Sequence, residues 1–363
     1  MSTLTTQLLA FTLKHPIMPA AGPPVRNADA LRACAEGGAS ALVAKTISTR
    51  AAQVPHPNMA DFKTYFLNTE LWSELPPEQW IAEEYPRART TANETGLPLI
   101  VGLGYSTEDI ATLAPQIAPF ADAVELSTHY IGDDPHPMQE TIRAAKAALE
   151  VPVLVKLSPF RDAPRAAVAA QEAGADAIVA VNSFGPTLGI DIEHGGRPWM
   201  GSETGYGWLS GPALKPLALR IVHEVTRVVD VPVIGVGGIT TGSDVVEFLM
   251  AGATAVQVCT AAIIKGPDIF GKLARQLARW LDKHGYAAVG DIQGLTLKRS
   301  APAMTRPPEL LPEQCIGCNR CVISCVYDAL YLEEKRIRLR PENCAHCGLC
   351  LTRCPVDALH FAG

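Results

Sequence analysis

Gly174-Ala-Asp-Ala-Ile-Val-Ala-Val-Asn182 is the stretch that decides how most of this chain folds. A glycine closes a helix, small residues make a turn, an apolar run follows, and a polar side chain ends it. The frame recurs as Gly38-Ala-Ser-Ala-Leu-Val-Ala-Lys-Thr46 and as Gly252-Ala-Thr-Ala-Val-Gln-Val-Cys-Thr260. Repetition of one supersecondary unit is the mark of a modular fold. Helix-on-strand packing accounts for the small residues, but not for the polar residue that closes each copy.

Working outward, eight short apolar runs occur, each followed by a segment of helical length. They are Ile17–Gly22, Ala41–Lys45, Pro98–Gly104, Ala123–Leu126, Val151–Lys156, Ala177–Asn182, Val231–Val236 and Ala255–Cys259. Near-continuous apolar runs of this kind read as parallel strands buried on both faces. The alternation predicts an α/β fold, a (β/α)8 TIM barrel over residues 1–297. Barrel sites lie at the C-terminal strand ends, so Thr46, Asn182 and Thr260 should face one mouth. Two insertions, 50–90 and Phe184–Pro212, are too long for ordinary connections and are expected to cover a ligand there.

Residues 298–311 are Pro-rich and read as a linker to a small domain over 312–363. That domain holds eight of the ten cysteines: Cys315, Cys318, Cys321 and Cys325, then Cys344, Cys347, Cys350 and Cys354 followed by Pro355. Two copies of C-x2-C-x2-C-x3-C form the bacterial ferredoxin pattern for a pair of [4Fe–4S] clusters, on a ferredoxin-like α+β domain. The fourth cysteine of each run serves the other cluster in that pattern. Cys315, Cys318, Cys321 and Cys354 would hold one cluster, and Cys344, Cys347, Cys350 and Cys325 the other. Paired zinc sites are the alternative, but they usually join two C-x2-C hooks, whereas three cysteines share each loop here. The remaining two, Cys34 and Cys259, lie in apolar surroundings and read as small buried hydrophobes.

With 48% hydrophobic and 19% charged residues, the 363-residue chain has ample core. Its net charge of −6 argues against nucleic acid or an anionic membrane as the main partner. Met1–Pro16 shows no basic n-region and no long apolar core, so no export signal is expected. No run of about 18 apolar residues suggests a membrane span. Thiols in cluster spacing then point to the reducing cytoplasm.

After the seventh run, Gly237 and Gly238 leave backbone N–H groups bare, and Thr260 after the eighth adds a hydroxyl. Loops at these two positions of a barrel commonly hold phosphate. The glycine pattern is only half of a dinucleotide fingerprint, so the monophosphate of FMN suits it better than NAD. Lys45 and Lys156 end apolar runs and need anionic partners. Either they pair with Glu125 inside the barrel, or they stand beside N1 and O2 of a flavin. Glu125 itself reads as structural.

The stretches around Ala20, Lys45, Lys156, Asn182, Ser210 and Gly237 to Thr260 resemble the dihydroorotate dehydrogenase family. Barrel and cluster domain together resemble the C-terminal half of dihydropyrimidine dehydrogenase. The resemblance implies FMN contacts from Ala20, Ala21, Gly22, Lys45, Thr46, Lys156, Asn182, Ser183, Ser210, Gly211, Gly237, Gly238, Cys259 and Thr260. It also implies hydride transfer between the flavin and a C=C bond conjugated to a carbonyl in a small molecule. A side chain on the opposite face would move the proton.

The chain departs from the family in the loop after the fourth run, Ser127-Thr-His-Tyr-Ile-Gly132. Tyr130 stands where the family has a catalytic cysteine or serine, and Ser127 and Gly132 stand where it has asparagines. Tyr130 and His129 are therefore the candidate proton donors, with His136 a third. Asn68, Ser127 and Asn182 are the expected substrate contacts, and a substrate other than orotate is expected. A redox partner, a ferredoxin or an NAD(P)H-oxidising flavoprotein subunit, would exchange electrons with the clusters. Arg320, Arg336, Arg338 and Arg340 mark one docking region, and relatives suggest a homodimer or heteromer. The alternative is an electron-relay subunit that keeps both cofactors but turns over no substrate.

Overall fold

The computed structural model describes residues 2–128, 134–159, 162–299 and 304–360. It divides into two units, Met1–Lys298 and Arg299–Gly363.

In the first unit eight parallel strands form one sheet: β1 (Ile17–Pro19), β2 (Leu42–Val43), β3 (Leu99–Leu103), β4 (Ala123–Ser127), β5 (Val153–Leu157), β6 (Ala177–Ala180), β7 (Val233–Val236) and β8 (Ala255–Val258). Their order is β1-β8-β7-β6-β5-β4-β3-β2. The seam between β1 and β2 is joined at Ser40, whose N–H and hydroxyl both donate to the Ile17 carbonyl. The result is a (β/α)8 barrel.

Strand alternation divides each run between two cores. Val124 and Leu126 of β4 and Val153 and Val155 of β5 face the outer helices. Ala123, Leu154, Ala177, Val179, Ile234 and Ala255 fill the interior. A hairpin of Thr6–Leu8 and Phe11–Leu13 closes the bottom, with Leu8 and Leu13 in the same inner cluster. Two residues beyond these inner positions, the alternation puts Glu125, Lys156 and Gln257 inside, at the upper end. One register step therefore decides that three polar side chains enter an otherwise apolar interior.

The two insertions form one structure and not two separate loops. Met59–Asp61 and Phe66–Asn68 come from the first, Phe184–Thr187 and Gly207–Ser210 from the second. Together they make a four-stranded antiparallel sheet, with Trp208 opposite Asn68 and Ser210 opposite Phe66. This pairing could not be read from either segment alone.

The connections after β3 and β7 are built alike. Ser106 caps the helix Thr107–Ile117 and Thr241 caps Gly242–Met250, each in a reciprocal box with Asp109 or Asp244. Asp109 also accepts from Ser48, from Thr49 N–H and from Tyr105 N–H at 2.6, 2.8 and 3.0 Å. Asp244 accepts from Thr240 N–H and Lys215, at 2.8 and 2.7 Å. Each carboxylate thus fixes the loop in front of its helix.

The second unit packs two hairpin-like pairs around the cysteine loops. Leu330–Glu333 pairs with Arg336–Leu339, and Glu309–Leu310 with Leu359–His360. The last residues of the 298–311 stretch are therefore a strand of this unit. No helix among the described residues is long and apolar enough to cross a membrane.

Candidate active site

A cavity of about 420 Å³ opens at the C-terminal ends of the barrel strands. Every residue expected around the flavin lines it, from Ala20, Ala21 and Gly22 after β1 to Cys259 and Thr260 after β8. Asn68 and Ser127 line it as well. Cys34 is buried away from solvent, but Cys259 is half-buried and forms part of the wall. The proton-donor candidates His129 and Tyr130 lie outside the described residues, as does Gly132. His136 begins the helix His136–Ala148, is exposed and faces Glu140 at 3.8 Å, so it does not reach the cavity.

At the floor, Lys156 Nζ lies 3.3 Å from Glu125 Oε1 and 3.2 Å from Gln257 Oε1. Gln257 donates in turn to the other Glu125 oxygen. All three are at least nine-tenths buried, and the ring of contacts offsets the cost of desolvating them. Lys45 does not join this group. Its ammonium donates to Glu70 Oε2 at 2.7 Å, while Asn58 donates to Glu70 Oε1 at 2.6 Å. The Glu125 pairing considered from sequence thus holds for Lys156 alone. Glu70 and Gln257 are site residues that sequence reasoning missed. Gln257 was legible as an inward position of the Ala-Val-Gln-Val run, whereas Glu70 gave no local signal.

Around the expected phosphate corner, Gly237 and Gly238 have φ of 127° and 75°, which disfavours any side chain. A Cβ at Gly238 would meet Lys215 Cβ at 2.7 Å and the Gly211 carbonyl at 2.9 Å. Neither N–H has an acceptor among the described residues, so both are available to an anion. Thr260 Oγ1 donates to Ser210 Oγ at 3.1 Å. Asn68 is partly committed, its amide donating to the Trp208 carbonyl at 3.1 Å across the four-stranded sheet of the insertions. Asn182 holds Ser183 N–H at 2.8 Å with its oxygen.

Dihydroorotate dehydrogenase is the family model that matches residues 3–281. The chain belongs to the dihydroorotate dehydrogenase family. A 4Fe-4S dicluster domain matches residues 314–358. A relative from Methanothermobacter thermautotrophicus, dihydroorotate dehydrogenase B (NAD(+)), catalytic subunit, is 35% identical over 304 residues, 80% of this chain and 98% of its own. Proteins of the same name from Pyrococcus abyssi and Geobacter sulfurreducens are 34% and 33% identical, over 81% and 80% of this chain and 99% and 97% of theirs. As a member of the dihydroorotate dehydrogenase family, the chain is a flavin-dependent oxidoreductase acting on CH–CH groups. Its cofactors are FMN and two [4Fe–4S] clusters.

Both cofactors of a family member with this second domain suit the residues present. Open amides, glycines that bring backbone to the cavity wall, and two lysines at strand ends suit a flavin phosphate and ring. In the second unit, Cys325, Cys344, Cys347 and Cys350 line one small cavity. Burial raises the Cys321 thiol, and Cys354 and Cys315 beside it raise it further. Burial likewise pushes Cys350 up to about 11, with Cys347, Cys321 and Cys344 adding to the rise. Thiols crowded this way hold protons until a metal takes their place. Ala358 N–H donates to Cys354 Sγ at 3.1 Å, the kind of contact that tunes a cluster potential.

Proposed function

We propose that this chain is the catalytic subunit of an enzyme that interconverts a cyclic, carbonyl-conjugated C=C bond and its saturated form, with electrons relayed through the two clusters. FMN bound in the barrel cavity would exchange hydride with the substrate through its N5. Gly237, Gly238 and Thr260 would hold its phosphate, and Lys45 and Lys156 would keep positive charge near its ring. Cys315, Cys318, Cys321 and Cys354 would ligate one cluster and Cys325, Cys344, Cys347 and Cys350 the other. The crossed grouping is supported by which thiols neighbour one another.

The substrate we favour is not orotate. The observation that carries this is the charge of the cavity wall. Among the described lining residues the cations are Lys45 and Lys156, and each already faces a carboxylate. Among the described residues a substrate carboxylate would find no unpaired cation to meet it, which is costly in a partly closed site. A neutral ring such as a dihydropyrimidine avoids that cost. The relatives named dihydroorotate dehydrogenase B favour orotate as the second reading.

The name NAD(+) of those relatives, together with the incomplete dinucleotide fingerprint here, supports a separate partner subunit that handles the nicotinamide. An electron-relay role without turnover is supported by Ser127 alone among the described residues of the altered loop. Anaerobic mixing of the oxidised protein with dihydrouracil and with dihydroorotate decides among the three readings. Flavin bleaching by dihydrouracil is expected to be faster. Faster bleaching by dihydroorotate would restore orotate, and bleaching by neither, with dithionite still active, would favour the relay.

A further inference from the structure

We propose that Tyr105 moves the substrate proton in this reaction, giving it from its phenol to the carbon beside the carbonyl while hydride reaches the other carbon of the double bond. The assignment rests on reading the barrel cavity as the flavin and substrate site.

Tyr105 follows β3 by one glycine and lines the cavity. Three contacts from three elements fix it. Its backbone N–H donates to Asp109 Oδ2 at 3.0 Å. Its ring meets the Trp72 ring edge-on, with centroids 5.4 Å apart. Its phenol lies beside Ser127, the last residue of β4 and itself part of the cavity wall. In the strand order β3 and β4 lie on the other side of the barrel from β7 and β8, where Gly237, Gly238 and Thr260 form the phosphate corner. A flavin held there would reach across the cavity toward the side that Tyr105 lines.

The chemistry balances with what the site and its cofactor supply. The C=C bond gains hydride from the reduced flavin and a proton from the phenol. The phenolate left behind accepts the Ser127 hydrogen bond and is reprotonated from water. Burial pushes the phenol up to about 12, the Ser127 hydrogen bond opposes this, and Asp109 adds to the rise. Of the other charged groups, Lys45 with Glu70, and Lys156 with Glu125, face one another within the same site. Such a phenol stays protonated throughout the neutral range and always has its proton to give. In the opposite direction it must first ionise.

The test is stopped-flow bleaching of the holoprotein flavin by dihydrouracil and by dihydroorotate, from about pH 7 to about pH 10.5. With Tyr105 as the base, the rate should climb about tenfold per pH unit across the whole range. Tyr105→Phe keeps the ring and is expected to slow bleaching about 100-fold or more and to abolish the slope. Ser127→Ala should slow it less while keeping the slope. Unchanged FMN content and dithionite reduction in both variants separate this from misfolding. A Tyr105→Phe rate within about threefold of wild type, or a plateau setting in near about pH 6.5 or about pH 10 as for an ordinary histidine or tyrosine, would overturn the assignment. If neither compound bleaches wild-type flavin while dithionite does, the reading of the cavity as a substrate site falls, and the assignment with it.

Discussion

Gly238 and Lys156 show how much rests on single positions. At φ of 75° with a Cβ contact of 2.7 Å waiting, valine at 238 would be strained by about 1–3 kcal/mol and would push the loop from its place. Gly238→Val is expected to lower FMN retained per chain about tenfold, read from flavin absorbance after heat release, with the clusters unaffected. Lys156→Met removes the cation opposite Glu125 and strands a buried carboxylate. A loss of about 3–5 kcal/mol is expected, seen as a lower denaturant midpoint of the flavin-free protein. Adding Glu125→Leu should recover most of that loss. If the double variant is no better than the single one, the pair is not what stabilises the floor.

Among elements, the two capped helices after β3 and β7 carry the site by carrying its loops. In the β3 loop, burial alone would raise Asp109. Hydrogen bonds from Ser48, Tyr105 N–H, Thr49 N–H and Ser106 outweigh it and bring the carboxyl to about 2. A carboxyl depressed on folding adds stability above its unfolded value of about 4, and that contribution fades as pH falls toward about 2. Asp109→Asn should therefore destabilise the protein at pH 7 and cost little by about pH 2, compared by thermal unfolding at both pH values. An equal loss at both would mean the carboxylate charge is not what matters. The four-stranded sheet of the insertions is a different kind of element, since Trp208 pairs with Asn68 from the other insertion. A disturbance in either insertion should reach both.

At the level of the whole molecule, two units of unlike construction share one chain, an α/β barrel and a thiol-rich domain with a small core of Cys321, Leu330, Ile337 and Leu359. So small a core is poorly supported without metal. The crossed ligand pattern makes a sharp prediction. Cys325→Ser and Cys344→Ser should each lower iron content by about half, and combining them should lower it no further. Cys325→Ser with Cys318→Ser should remove nearly all of it. If the first pair is additive, each cysteine run serves its own cluster. Arg320 and Arg336 are exposed, whereas Arg338 pairs with Glu333 and Arg340 lies over the Tyr331 ring. Among the described residues Arg320 and Arg336 form no ion pair.

By itself the sequence determined the barrel, because strands buried on both faces must be apolar and the helix-turn-strand frame repeats locally. It pointed to a two-cluster domain for a similar reason, since three thiolates on one loop need fixed spacing. Lys45 and Lys156 were marked as requiring partners, because an ammonium inside an apolar run cannot stay unpaired. Which partners they took was decided only in three dimensions. Glu125 and Gln257 reach Lys156 from different strands, and Glu70 reaches Lys45 from an insertion of no regular pattern. Tyr105 comes beside Ser127 because the two stand at the ends of neighbouring strands. Spacing along the backbone carries local chemistry, but contacts between strand ends exist only once the barrel has closed.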